Sequence, residues 1–322
     1  MKKIYTLEDL RSWPTVTADE PVPLRLAVLG DPVAHSASPP MQNAALAACG
    51  IDAHYCRLHI RPEEFGAALR LLAEKKFIGV NCTIPHKGAA LAAVDEADEN
   101  ARRAGGVNTI VFGADGKLRG FSTDGPGFAR AVHEEFEVEL RAMRVLVLGA
   151  FGGAGRAVAV QCAIEGARGL ALINRNVEKL QLLQDIIAAR SGQSVKRQQP
   201  LHDVITAFYP RERLTVGPWE DAALARALDV SDLIVNCSAL GMKPDDPSPI
   251  LATMLAPRHL LYDTIYTAAR TPLMRAADSA GARSANGFSM LLHQGALAFE
   301  HWFRRPAPLE VMRAALVQHA AC

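Results

Sequence analysis

Residues 144–156 read RVLVLGAFGGAGR, an apolar run that breaks abruptly into a glycine-rich string. A strand buried on both faces needs no polar alternation, so this run reads as a strand inside a parallel sheet. The residues after the glycines, AVAVQCAI, continue as a helix. Strand, glycine turn and helix in that order are the setting in which a glycine string becomes a pyrophosphate-binding turn. Gly149, Gly152, Gly153 and Gly155 carry no Cβ, so backbone amides and the positive helix end can approach a phosphate closely. A tight turn in an empty α/β domain would also use glycine. The complete βαβ order, with a second strand over 169–173, favours the nucleotide.

That second strand ends in Ile173-Asn174-Arg175, where selectivity for NAD usually places an acid against the ribose hydroxyl. There is no acid here. Arg175, with Lys179 one helical turn further on, suits a 2′-phosphate, and the cofactor is expected to be NADP rather than NAD. Downstream, a helix over 177–190 and strands over 232–236 and 259–262 complete a doubly wound pattern. The polar stretch 191–214 is long for a βα connection and reads as an inserted loop or an irregular helix and strand.

Upstream, Leu24–Leu29 (LRLAVL) is the first apolar strand, and strands near 54–58 and 79–83 alternate with helices over 40–48, 62–74 and 88–97. A strand at 109–112 has a hairpin partner near 118–121. The chain is therefore read as an α/β protein of two domains. The first, 24–125, is an α/β substrate-binding and catalytic domain, and the second, 126–286, a Rossmann-like cofactor domain. Residues 1–23, which end at Pro21 and Pro23, read as an extension. Residues 287–322 carry helical patterns that periodicity alone cannot assign to either domain.

Composition excludes several classes. The 322 residues are 49% hydrophobic and 21% charged, in the globular range. With 35 Lys plus Arg against 34 Asp plus Glu, and no basic patch interleaved with aromatics, no nucleic-acid partner is expected. Apolar runs fall far short of the roughly 20 residues needed to cross a bilayer, and the N-terminus has no apolar leader core. The six cysteines are scattered without metal-binding spacing, as reduced thiols of a cytoplasmic protein would be.

Three further strings carry polar residues in the first domain. Asn81–Gly88 reads NCTIPHKG, with Pro85 at a helix start and Lys87 in its first turn. A cation there opposes the macrodipole by about 0.3–1 kcal/mol, a cost that either a functional lysine or an exposed one can carry. In STDG, Asp124 is read as a helix N-cap, and Ser36 and Ser38 of HSASPP also suit capping.

Together these strings resemble the shikimate dehydrogenase family, including its quinate/shikimate branch, over roughly residues 24–316. GDPVAHSASP is similar to the family's serine motif, NCTIPHK to its lysine motif, GGVNTI to its asparagine motif and STDGPG to its aspartate motif. LGAFGGAGRA, INRN, NCSALGMKP, YDTIY and GFSMLLHQGALAFEHW match later motifs in order. The resemblance implies NADPH-dependent, reversible reduction of 3-dehydroshikimate to shikimate, in the making of aromatic amino acids. It implies Lys87 and Asp124 as the catalytic pair, and Ser36, Ser38, Asn81, Thr83, Asn108, Tyr266 and Gln294 as substrate ligands. Gly149, Ala150, Gly152, Gly153, Ala154, Asn174, Arg175, Lys179, Thr264 and Gly287 would hold NADP, and no metal is implied. The tail would return to the substrate domain.

The chain departs from the family pattern at Phe151, inserted in a GAGGAG string, at Ser122 before TDG, at Asn176 and Ala268, and at Met41-Gln42-Asn43 in place of HN. The last change is reminiscent of the quinate-using branch. Quinate is therefore the alternative substrate, with NAD or NADP, and a non-catalytic NADP-binding sensor the more distant alternative. A dehydrogenase acting on a folate fits the serine, asparagine and glutamine set poorly. The protein is expected to act as a cytoplasmic monomer or homodimer with a small-molecule substrate and no membrane partner.

Overall fold

The computed structural model describes residues 4–175, 201–243, 245–267 and 269–320. Lys179, Asn176, Ala268 and the helix expected over 177–190 lie outside them. The chain forms two compact units, Met1–Thr123 with Leu292–Cys322, and Asp124–Leu291.

The first unit is built on strands β1 (Tyr5–Thr6), β2 (Leu24–Gly30), β3 (His54–His59), β4 (Gly79–Cys82), β5 (Glu96–Ala97), β6 (Thr109–Phe112) and β7 (Leu118–Phe121), in the spatial order β1-β3-β2-β4-β6-β7-β5. β2 runs parallel to both β3 and β4, as strands joined by helical crossovers do. β6 is antiparallel to β4, and also to β7, to which only a short turn joins it. Gly116 takes φ +80° in that turn.

The stretch before Leu24, expected to be an extension, is part of this unit. β1 pairs in parallel with β3, and a capping box between Thr6 and Asp9 opens a helix over Leu7–Arg11. Leu7, Leu10 and Trp13 are buried, and Trp13 lies against Tyr5 and Phe77. The charged residues that break the apolar pattern here sit on the other face of a short helix. A reading based on run length therefore misses the buried stripe. The C-terminal helix Leu309–Ala320 packs on the helix Ser38–Ala48 of the same unit.

The second unit holds six parallel strands among the described residues: β8 (Arg144–Leu148), β9 (Gly169–Asn174), β10 (Leu214–Pro218), β11 (Leu233–Asn236), β12 (Leu260–Asp263) and β13 (Arg283–Ala285). Their order is β10-β9-β8-β11-β12-β13. The chain steps outward from β8 on one side and returns to β11 on the other, so the sheet's topological switch point lies between them. β10 is not among the expected strands and begins at Leu214, the last residue of the stretch expected to be irregular. It is an edge strand, and an edge tolerates the Gly217-Pro218 that obscures it in sequence. No helix among the described residues is long and apolar enough to cross a membrane.

Candidate active site

In the first unit, the carboxyl ends of β2 and β4 and the start of β6 carry the residues singled out in sequence. Ser38 is the first residue of its helix, preceded by Ala37 as an N-cap that makes no side-chain bond. The capping expected of the two serines is replaced by local bonds. The Ser36 hydroxyl accepts from the Ser38 amide at 3.3 Å, and the Ser36 carbonyl accepts from both Nε and Nη2 of Arg57.

Asn81 is buried at the end of β4. Its Nδ2 donates to the Asn108 carbonyl at 3.1 Å and to Thr109 Oγ1 at 3.0 Å, and its Oδ1 accepts from the Tyr55 hydroxyl at 2.7 Å. Asn108 Nδ2 donates to Thr123 Oγ1 at 2.9 Å and to Gln294 Oε1 at 3.4 Å, while its Oδ1 accepts from the Thr123 amide at 2.8 Å. Buried amides of this kind are tolerated because nearly every donor and acceptor is matched. Asn81, Asn108 and Gln294 thus belong to one cluster. Thr83 is half-buried beside it, and its methyl would lie 2.5 Å from any Cβ at Gly30.

The lysine string differs from expectation in detail. The helix starts at Lys87 and runs to Ala93, and Pro85 stands in the preceding turn with a cis bond to Ile84. Two contacts fix that turn. His86 is buried, stacks 4.8 Å from the Phe65 ring and donates from Nε2 to the Ile60 carbonyl at 2.7 Å. Burial lowers its pKa, which suits a neutral ring with one proton committed to that carbonyl. The Lys87 carbonyl accepts from the Val107 amide at 2.9 Å, one residue before Asn108.

In the second unit, Asp124 is the first residue of the helix Asp124–Phe136 rather than the cap before it, and is largely buried. Gly149 takes φ +73°, and a Cβ there would meet the Ser238 amide nitrogen at 2.9 Å, so the turns after β8 and β11 pack backbone to backbone. A Cβ at Gly155 would lie 2.3 Å from the Gly149 carbonyl. Gly152 caps the helix that starts at Gly153, and both are exposed, as amides that meet a phosphate must be. Phe151 packs partly buried against the core of this unit, so the inserted ring turns inward. Ala150 is buried beneath the turn, and Ala154 lies in the helix's first turn.

Asn174 ends β9 and accepts from the Trp219 amide at 3.0 Å. The exposed Arg175 guanidinium lies 5.2 Å from the Trp219 ring centre. Trp219 follows β10 and has no signal in sequence that would place it there. Thr264 donates to the Asn236 carbonyl at 2.8 Å, and Gly287 is so close that a Cβ would meet the Thr264 carbonyl at 2.2 Å. Tyr266 is partly exposed, with its ring 6.2 Å from Phe288. A cradle that excludes Cβ atoms and an arginine at the end of the second strand are what a dinucleotide with a 2′-phosphate needs, so the residues present fit NADP.

The family model described as shikimate dehydrogenase substrate binding domain matches residues 28–110, and that described as shikimate 5'-dehydrogenase C-terminal domain matches 287–317. Shikimate dehydrogenase (NADP(+)) of Symbiobacterium thermophilum is 41% identical over 90% of this chain and 92% of its own length. The chain belongs to the shikimate dehydrogenase family. A shikimate dehydrogenase solved in complex with NADP+ superimposes with a TM-score of 0.80 at 30% identity, covering 93% of this chain and 96% of that one. The Thermus thermophilus enzyme, solved with NADP(H) and shikimate, gives 0.74 at 33% identity, over 92% and 99%. The two-domain α/β fold is that of shikimate dehydrogenases. Sequence reading within the family motifs passes over Tyr55, Thr109 and His86, whose partners include residues 14 to 28 positions away and leave no local pattern.

Proposed function

We propose that the chain is an NADP-dependent shikimate dehydrogenase, an oxidoreductase that reversibly reduces 3-dehydroshikimate to shikimate for aromatic amino-acid biosynthesis. The observation that carries this is likeness along nearly the whole chain, at 41% identity, to an enzyme of that name. NADPH, when bound, supplies a hydride. The glycine turn holds its pyrophosphate on backbone amides, and Arg175, beside Trp219, meets the 2′-phosphate.

Lys87 gives a proton to the substrate oxygen as negative charge develops there, and its ammonium stabilises that charge. Asp124 is the second catalytic residue and accepts from a substrate hydroxyl. Ser36, Ser38, Thr83, Asn108, Tyr266 and Gln294 hold the remaining hydroxyls and the carboxylate. Asn81 has already given both amide protons within the protein, so it serves the substrate as an acceptor. The cytoplasm suits the reaction, in keeping with Cys49, Cys56, Cys82, Cys162 and Cys237, which are all free thiols.

The test is the value of kcat/KM for shikimate and for quinate, each with NADP and with NAD. Shikimate with NADP should exceed the other three pairs. A dominant value for quinate with NAD would overturn both the substrate and the reading of Arg175.

A further inference from the structure

Tyr55, in β3, is fully buried, yet its ring ends in a hydroxyl that a phenylalanine would spare. A buried hydroxyl is tolerated only with a partner. The phenol donates to Asn81 Oδ1 at 2.7 Å, on β4, a side chain assigned above to the substrate.

The tyrosine itself is held on every side. Asn43 brackets its backbone, with Nδ2 donating to the Tyr55 carbonyl at 3.0 Å and Oδ1 accepting from the Tyr55 amide at 2.7 Å. The ring lies 6.0 Å from that of Trp302, which is anchored by Nε1 donating to the Ile110 carbonyl at 3.0 Å. An oxygen fixed this firmly is a reference point for whatever bonds to it. Burial also holds the phenol well above its ordinary pKa, so it stays a donor across the working range.

We propose that Tyr55 is a positioning residue for the reaction: its hydroxyl holds Asn81 in the place that shikimate requires, without touching the substrate. This rests on the assignment of Asn81 to substrate binding. Removing the hydroxyl leaves the fold and the cofactor turn alone but lets that ligand group drift, so the loss appears in substrate binding.

The experiment compares Tyr55→Phe, Asn81→Ala, the double variant and Asn43→Ala in the full chain, by KM for shikimate, KM for NADP, kcat and thermal midpoint. Tyr55→Phe should raise the shikimate KM about tenfold, the scale of one hydrogen bond lost from a binding array. It should leave the NADP KM within about twofold and the thermal midpoint within a few degrees. In the Asn81→Ala background most of its effect should vanish, because the two act through one contact. Asn43→Ala loosens the same strand without removing the hydroxyl, and should lower the midpoint while moving the shikimate KM much less.

Equal shifts in both Michaelis constants, full additivity with Asn81→Ala, or an Asn43→Ala effect as large as that of Tyr55→Phe would each overturn the proposal in favour of a structural role. If Asn81→Ala raises the shikimate KM while Tyr55→Phe does nothing, the positioning role alone fails. If Asn81→Ala itself leaves that KM unchanged, the substrate assignment fails and this proposal with it.

Discussion

The two units solve opposite recognition problems with opposite materials. In the first, a mixed sheet ends in side-chain amides and hydroxyls, Asn81, Asn108, Thr109 and Thr123, wired to one another before any ligand arrives. In the second, an all-parallel sheet ends in bare backbone, with Cβ atoms excluded at Gly149, Gly155 and Gly287 by contacts of 2.2–2.9 Å. A small acid with several hydroxyls needs directional partners at fixed points, which only side chains can vary residue by residue. A pyrophosphate needs amides and a helix end brought close, which side chains would obstruct. Loss of one side chain in the first unit should therefore cost affinity or rate, whereas gain of one in the second should cost geometry.

The largest effect is expected at Lys87. Lys87→Ala should lower kcat about 10²- to 10⁴-fold with little change in the shikimate KM, the range typical of a lost general acid. Steady-state rates check this, and an equal rise in KM would make the lysine a binding group instead. Gly155→Ala comes next. Its Cβ meets the Gly149 backbone at 2.3 Å, whereas one at Gly152 would find its nearest neighbour at 3.4 Å. Gly155→Ala should raise the NADP KM by about tenfold or more and lower the thermal midpoint by several degrees, with Gly152→Ala sparing the midpoint. Equal melting of the two variants would break the geometric half of the comparison.

Arg175→Ala should reduce the preference for NADP over NAD by roughly ten- to a hundredfold, the scale of a charged hydrogen bond. An unchanged ratio would remove Arg175 from the 2′-phosphate. The smallest effect belongs to the pair that ties the start of β8 to the residue before β11. Asp232 accepts from Nε and Nη2 of Arg144 at 3.0 and 2.7 Å, and that hydrogen-bonded guanidinium holds its carboxyl below the usual range. A carboxyl depressed in the folded state adds stability above its unfolded pKa of about 4 and loses it as pH falls through the folded value. The pair is partly exposed, so Asp232→Asn should lower the midpoint by only about 1–2 °C near neutral pH. That gap should shrink as pH falls below the unfolded pKa, and a constant gap would show that the charge is not responsible.

Legibility in the sequence follows the same division. The glycine turn can be read locally because strand, turn and helix are consecutive and the turn excludes side chains for a single physical reason. The polar cluster cannot: Tyr55 and Asn81 are 26 residues apart, and Asn108 and Gln294 are 186 apart, so their wiring exists only once the sheet has formed. Family motifs supply most of its members but not Tyr55, which looks like any strand aromatic. β10 and the Tyr5–Arg11 segment are hidden for a third reason. Both lie at sheet edges, where short elements with Pro or charge are stable and periodicity is brief. The tail from 287 to 320 shows its helices in sequence, while its place, with Gln294 against Asn108, is set by tertiary packing alone.

The division of labour is tested most directly by crossing one variant from each unit with both ligands. Dissociation constants for shikimate and for NADP are measured on Ser36→Ala and Arg175→Ala. Ser36→Ala should weaken shikimate several-fold and leave NADP within about twofold of wild type, and Arg175→Ala should do the reverse. If each variant weakens both ligands alike, the two units do not divide recognition as described.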